Sequence, residues 1–107
     1  MKIVQITDEA IIFDNGNKIT YDHEQDCCEW NYADFQQIDE RPIYSKEFSE
    51  GLIFESIEDA GFRFGSHPLD MVFVPCYSSQ NGYYSSDIDI YYNGEKMLNF
   101  NAEGVFG

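Results

Sequence analysis

The sequence predicts an α+β fold, built as an antiparallel β-meander with Asn-Gly hairpins and one or two short helices. Asn-Gly occurs three times, at Asn15-Gly16, Asn81-Gly82 and Asn93-Gly94. Both residues tolerate the positive φ that type I′ hairpin turns require. The chain has 107 residues, of which 43% are hydrophobic. This length and composition predict one acidic globular domain over residues 1–107.

Runs of strand-forming residues flank each of these dipeptides. The predicted strands cover residues 10–13, 18–21, 72–78, 83–92 and 96–100. In the long strand, period-two alternation turns Ile88 and Ile90 inward and Asp87 and Asp89 outward. Residues 71–74 are apolar on both faces and predict a central strand. Pro75 cannot donate to a ladder and should lie at a bulge or a strand end.

Helical signals are weaker than strand signals. Residues 26–38 (DCCEWNYADFQQI) could form a short helix capped by Asp26 and Glu29, or an ordered loop. Residues 56–60 could form a second helix ended by Gly61, although residues 52–57 also fit a strand. Phe62 and Phe64 predict a further strand before a turn at 65–68.

The charge is strongly negative, with 20 acidic and 6 basic residues and a formal net charge of −14. Direct binding to nucleic acid is excluded, because it needs Lys and Arg to replace phosphate counterions. Anionic membranes are disfavoured for the same reason. The aromatic content of 17% indicates that the acids lie on a folded body, which would attract basic protein surfaces. The alternative is that the acidity only maintains solubility.

The chain is expected in the cytoplasm of a bacterial host cell. It has no apolar run of about 20 residues, and its start, MKIVQITDEA, lacks the apolar stretch of a signal peptide. Three cysteines with one vicinal pair fit reduced thiols better than a disulfide framework.

A cluster of reactive groups lies at residues 21–30 (YDHEQDCCEW). His23, Cys27 and Cys28, joined by Cys76, could supply the four N/S ligands of a tetrahedral zinc site. The chain would then be a zinc-binding structural module or a small metal-dependent enzyme. The alternative is that the thiols are small buried hydrophobes and His23 is a surface residue.

Catalysis finds little support in the sequence, which predicts a protein that is not an enzyme. No G-x-S-x-G, phosphate-binding loop or Cys/His motif with the context of a catalytic family is present. Asp87 and Asp89, near Glu95, could form an acid/base pair or bind calcium, but outward acids on a strand are typical of a solvated face. His67 before Pro68 is typical of a turn.

Three blocks, DCCEWNYADF, GFRFG and VPCYSSQNGYYSSDIDIYYNG, resemble a family of small uncharacterised proteins from bacteria and their phages. The resemblance runs from about Ile11 to Asn99. It implies a compact α+β domain and brings no assigned activity. In size and charge the chain is also similar to phage anti-CRISPR inhibitors. Several of these occupy basic channels of nucleases or block DNA loading.

The leading functional hypothesis is therefore a non-enzymatic inhibitor. It would bind the basic surface of a bacterial nucleic-acid-binding effector, an RNA-guided CRISPR nuclease in the most specific form. Exposed Tyr beside acids is typical of protein-binding surfaces. The predicted contacts are Asp34, Asp39, Glu40, Glu47, Glu50, Asp87 and Asp89, with Tyr83, Tyr84 and Tyr91 as anchors.

Overall fold

The computed structural model describes residues 1–22, 30–38, 43–57, 60–79 and 87–101. Nine strands and a 3-10 turn form the elements of these ranges. They are β1 Ile3–Ile6, β2 Ala10–Phe13, β3 Lys18–Asp22, β4 Trp30–Ala33, the 3-10 turn Phe35–Gln37, β5 Ile53–Ile57, β6 Gly61–His67, β7 Asp70–Ser79, β8 Asp87–Tyr92 and β9 Glu95–Asn101.

The strands form two antiparallel sheets. The first sheet has the order β1-β2-β3-β8-β9 and the second has the order β4-β7-β6-β5. The antiparallel β prediction is confirmed, but two connections depart from a simple meander. β3 pairs with β8, so the second sheet is inserted between them in sequence, and β4 pairs with β7 rather than β5. The α+β class is only partly correct, because the described residues are mostly strand.

The hairpins show that two Asn-Gly dipeptides form different turns. Asn93 and Gly94 have φ values of 53° and 83°, as a type I′ turn requires. At the first dipeptide, Gly16 alone has positive φ, and its N–H donates to Phe13 O at 3.0 Å. That pattern is a type I turn followed by a left-handed glycine, so the type I′ prediction is wrong there. Asn81-Gly82 lies outside the described residues.

The helix predicted over residues 26–38 is wrong wherever the structure describes it. Residues 30–33 form β4, whose register pairs Trp30 with Ser79 and Ala33 with Cys76. The 3-10 turn follows at Phe35–Gln37. Trp and Tyr favour strands, and pairing with a long central strand outweighs weak helical spacing. Residues 26–29 lie outside the described part.

Two further predictions in the second sheet are settled by pairing. β5 forms over Ile53–Ile57, which confirms the strand alternative and contradicts the second helix up to residue 57. Pro75 lies inside β7 opposite Gly61, not at a bulge or a strand end. Its carbonyl oxygen accepts a hydrogen bond from Asp34 N at 2.8 Å. The N–H that proline lacks would point to the same side, where β4 has already ended at Ala33, so the ladder loses a hydrogen bond only beyond the end of β4.

Gly61 is required by the close approach of β6 to β7. A Cβ at this position would collide with Val74 O and lie 2.9 Å from Cys76 N. Both atoms are backbone in a buried strand and cannot move away easily. The β6–β7 pairing therefore depends on this glycine.

We expect Gly61→Ala to reduce the free energy of unfolding by about 1–3 kcal/mol or more, as overpacking does. Gly51→Ala is the control, because a Cβ there meets nothing within 4 Å. Its effect should stay within about 0.5 kcal/mol. Urea denaturation of both variants measures the difference, and equal losses would contradict the steric argument.

The hydrophobic core joins both sheets. Its fully buried side chains include Phe13, Ile11, Ile19, Ile88 and Ile90 from the first sheet and Phe62, Phe64, Val74 and Cys76 from the second. The segment between β4 and β5 adds Phe35, Ile38, Ile43, Phe48 and Leu52. The inward positions of Ile88 and Ile90 confirm the alternation predicted for β8.

Candidate partner-binding surface

Acidic side chains gather at one end of the first sheet. Asp8 and Glu9 form the turn between β1 and β2, and Asp22 ends β3. Antiparallel strands bring the end of β1, the start of β2 and the end of β3 to the same edge. Thr7 fixes the turn, since its Oγ1 accepts from Glu9 N at 3.2 Å and from Ala10 N at 3.0 Å.

Asp34 joins this end from the second sheet. It follows β4, and the 3-10 turn after it connects the two sheets. Gln36 Nε2 donates to Asp8 Oδ1 at 3.3 Å. Gln37 Nε2 donates to Asp34 Oδ2 at 2.8 Å and to the Tyr77 hydroxyl at 2.9 Å. We name Asp8, Glu9, Asp22 and Asp34 the acidic end.

The negative charge of the acidic end affects the pKa of the Tyr21 hydroxyl. Burial raises its pKa first, and the negative charges of Glu9 and Asp8 raise it further. Asp34 adds a smaller contribution in the same direction. The carboxylates from the β1–β2 turn and from the second sheet therefore raise the pKa of the same hydroxyl group.

The described cations lie away from three of these carboxylates. Within the described ranges, Asp8, Glu9 and Asp34 form no ion pair with Lys or Arg. The described ion pairs to Lys and Arg join Lys46 to Asp70, Arg63 to Glu55, and Lys96 to Asp89, the residue paired with Asp22. The negative field at the acidic end is thus not neutralised by these groups.

The opposite end of the first sheet has mixed charge. Lys2 precedes β1 and Lys18 begins β3. Lys2 O accepts from Asp14 N at 2.8 Å, which places Lys2 beside the β2–β3 turn. Glu95 also lies at this end. The two ends of the first sheet therefore differ in charge: one carries acidic side chains, and the other carries both acidic and basic side chains.

An open concavity of about 460 Å³ lies on the outer face of β2 and β3. Ile11 and Ile19 turn into the core, so their neighbours along each strand face outward. The register pairs Ala10 with Thr20 and Ile12 with Lys18. The lining residues are Glu9, Ala10, Ile12, Lys18, Thr20, Tyr21 and Asp22. Carboxylates therefore lie at one end of the concavity and an ammonium group at the other.

Three of the predicted partner contacts lie at or beside this region. Asp34 belongs to the acidic end. Asp89 is paired with Asp22, and Tyr91 with Thr20, so both share the outer face with the concavity. Asp89 Oδ1 accepts from Asn99 Nδ2 at 2.9 Å and lies 3.4 Å from Lys96 Nζ, so its charge is partly compensated.

Glu47 and Glu50 are not brought together with Asp34. Glu47 Oε1 lies 3.9 Å from the amino group of Met1. Glu50 Oε1 accepts from Asn15 Nδ2 at 3.0 Å, which places it at the β2–β3 turn, opposite the acidic end. These two residues belong to the end of mixed charge.

Several predicted contacts lie outside the described residues. These are Asp39, Glu40, Tyr83 and Tyr84. Asp87 begins β8 and is paired with Asn101, but its side chain is outside the described part. These residues remain predictions.

Sequence reasoning missed Asp8, Glu9 and Lys18 as surface residues. For Asp8 and Lys18 the signal is alternation, because each lies an odd number of residues from the inward-facing Ile11 or Ile19. Glu9 has the same parity as Ile11, so alternation does not predict its place at the concavity. Asp22 lies in the reactive segment at residues 21–30 and is not among the predicted partner contacts. Its place at the acidic end follows from the β3–β8 pairing, which the sequence does not display.

The outer face of the second sheet differs from the acidic end. Ile53 and Phe73 expose 39% and 45% of their surface there. Arg63 Nη2 donates to both carboxylate oxygens of Glu55, at 2.8 and 2.9 Å. This face is thus apolar around a compensated ion pair.

Cys76 is the described member of the predicted zinc site. It is fully buried in β7, and its Sγ lies 3.9 Å from Val74 O. Burial raises the pKa of its thiol to about 12, so the thiol is protonated at neutral pH. Zinc binds the thiolate and would have to displace this proton.

The other proposed ligands, His23, Cys27 and Cys28, lie outside the described residues. Among the described residues, no group of three or more His, Cys, Asp or Glu side chains is placed to hold a metal ion. The four-residue zinc site therefore remains a prediction.

Elemental analysis tests the zinc hypothesis. If zinc is structural, protein purified without added metal contains about one zinc per chain, and a chelator lowers its melting temperature because metal binding contributes folding free energy. Cys27→Ser should remove both effects. No zinc together with unchanged melting in chelator would reject the hypothesis.

Comparisons with protein-family models, with curated proteins and with solved structures give no match. No helix within the described ranges is long and apolar enough to cross a bilayer. A functional assignment therefore depends on the chain's own residues.

Proposed function

We propose that this protein is a non-enzymatic binding protein whose acidic end docks on a Lys/Arg-rich surface of a nucleic-acid-binding protein. One observation carries the proposal. Carboxylates from the β1–β2 turn, the end of β3 and the end of β4 meet at one end of the fold, and within the described ranges Asp8, Glu9 and Asp34 form no ion pair with Lys or Arg.

Electrostatics favour this kind of partner. The surface of a nucleic-acid-binding protein presents Lys and Arg side chains to phosphates. A fixed group of carboxylates can occupy the same side chains and compete with nucleic acid. The net charge of −14 adds long-range attraction and speeds the encounter.

Hydrogen bonds hold part of the acidic end in place. Asp8 and Asp34 each accept from a glutamine of the 3-10 turn. Carboxylates held in this way lose less side-chain entropy on binding than free ones. This supports a docking surface rather than acidity that serves solubility alone.

The most specific form of the proposal names the partner class. The partner would be a bacterial effector nuclease guided by RNA, and binding would block the loading of DNA. The resemblance in size and charge to phage anti-CRISPR inhibitors supports this form. In this form of the proposal the protein would act in the cytoplasm of a bacterial host.

Two reactive side chains among the described residues are engaged in structure. Cys76 is buried as a protonated thiol. His67 Nδ1 accepts from Leu69 N at 3.2 Å, at an exposed turn. Neither arrangement activates a nucleophile or a base, which supports a role in binding.

Binding to a purified RNA-guided nuclease tests the proposal. We expect a complex at about 50 mM salt whose association rate falls steeply as salt increases, because charge steers the encounter. Target DNA added first should reduce binding. Capture from a bacterial lysate at low and high salt extends the test to other effectors. No binding to these nucleases at low salt, and no enrichment of nucleic-acid-binding proteins from the lysate, would overturn the proposal.

A further inference from the structure

We propose that the concavity on the outer face of β2 and β3 is an anchor site for one arginine side chain of the partner protein. This inference rests on the proposed function, because it names the group that the acidic surface takes. Glu9 and Asp22 supply the carboxylates at one end of the concavity.

The shape and lining of the concavity match an amphipathic cation. Ala10 and Ile12 form an apolar floor with the methyl group of Thr20. A long cationic side chain covers apolar surface with its methylene stem and keeps its charged head at a polar rim. Here the stem would lie on β2 and the head would reach Glu9.

The charge arrangement fixes the direction of the bound side chain. Lys18 and Asp22 are four residues apart on one strand, which separates them by about 13 Å at roughly 3.3 Å per residue. Lys18 therefore repels a guanidinium at its end of the concavity, and Glu9 and Asp22 attract it at the other end. A second cation is disfavoured for the same reason.

Arginine fits this site better than lysine. Its planar guanidinium presents five donors and can bond two carboxylate oxygens at once, whereas an ammonium acts as a point charge. The guanidinium is also less strongly hydrated and suits a partly apolar site. Tyr91, paired with Thr20 on the same outer face, places an aromatic residue beside the floor.

The test is a titration of ¹⁵N-labelled protein with N-acetyl-arginine amide, followed by amide chemical shifts. We expect saturable shifts at Ala10, Ile12, Thr20 and Asp22. The citrulline amide has the same shape without the charge and should produce no saturable shift. The lysine amide should bind more weakly than the arginine amide.

Two variants separate charge from shape. Glu9→Gln removes one carboxylate and should weaken arginine binding roughly tenfold, as expected for a charge-assisted hydrogen bond. Ala10→Leu leaves the charge unchanged and should block the site by filling the floor. Asp14→Asn is the matched control, because it makes the same change of charge at the other end of β2 and should leave binding unchanged.

The outcomes distinguish this inference from the proposed function. If arginine amide shifts every exposed carboxylate equally, or citrulline amide binds as well, the anchor site is wrong. That result leaves salt-dependent binding of the nuclease untouched. If arginine binds at the concavity but no basic partner is captured, the proposed function is wrong, while the concavity is still shown to bind arginine.

Discussion

Neutralising the acidic end should slow association with a basic partner by at least about tenfold at low salt. The variant combines Asp8→Asn, Glu9→Gln and Asp34→Asn. These substitutions keep the shape of each side chain, and the amide oxygens can still accept from Gln36 and Gln37. The loss therefore comes from charge, which steers the encounter between oppositely charged surfaces. Stopped-flow association at several salt concentrations measures it.

A second triple variant controls for overall charge. Asp14→Asn, Glu47→Gln and Glu95→Gln make the same change of +3 at the end of mixed charge. At about 0.1 M salt its association rate should stay within about twofold of the original, because interactions beyond a Debye length of about 10 Å are then screened. Equal slowing by both variants would show that total charge matters and the acidic end does not.

Replacing Phe48 by alanine should lower the free energy of unfolding by about 3–5 kcal/mol, the usual cost of deleting a buried phenylalanine ring. Phe48 is 2% exposed. Its ring packs edge-on against Phe13 at 5.6 Å and stacks on Phe64 at 5.7 Å, so it joins the two sheets. A cavity here would loosen both. Guanidinium denaturation gives the change.

Phe73→Ala is the matched control for this loss. Phe73 is 45% exposed on the outer face of the second sheet and leaves no enclosed cavity when truncated. We expect a change below about 1 kcal/mol. Similar losses for both variants would contradict the role of Phe48 as the ring that couples the sheets. A melting temperature measured by circular dichroism provides an independent check.

The strands were largely predictable because their signals are local. In β8, alternation of Ile and Asp placed Ile88 and Ile90 in the core before the register was known. The Asn93-Gly94 turn followed from the φ angles that its two residues tolerate. At Asn15-Gly16 the same dipeptide forms another turn, because Asn15 also accepts negative φ and its Oδ1 accepts from Asn17 N at 3.1 Å.

The wrong predictions concern residues whose conformation depends on pairing with a strand that is distant in sequence. Residues 30–33 carry a weak helical pattern, yet they pair with β7 because a long strand offers four residues of ladder and a buried position for Ala33. The sequence predicts Pro75 at a bulge or a strand end, but it lies within β7, where its hydrogen-bonding side faces the residue after the end of β4. Local propensity cannot anticipate either pairing.

The sequence by itself determined the charge, the antiparallel strands and the inward faces of those strands, because composition and period-two alternation are properties of the chain alone. The tertiary structure decided where the charges meet. Asp8, Asp22 and Asp34 are far apart in sequence, and strand order and the 3-10 turn bring them to one end. The acidic end depends on pairing between residues that are distant in sequence. The sequence alone could therefore predict Asp34 as a contact residue, but not which carboxylates lie beside it.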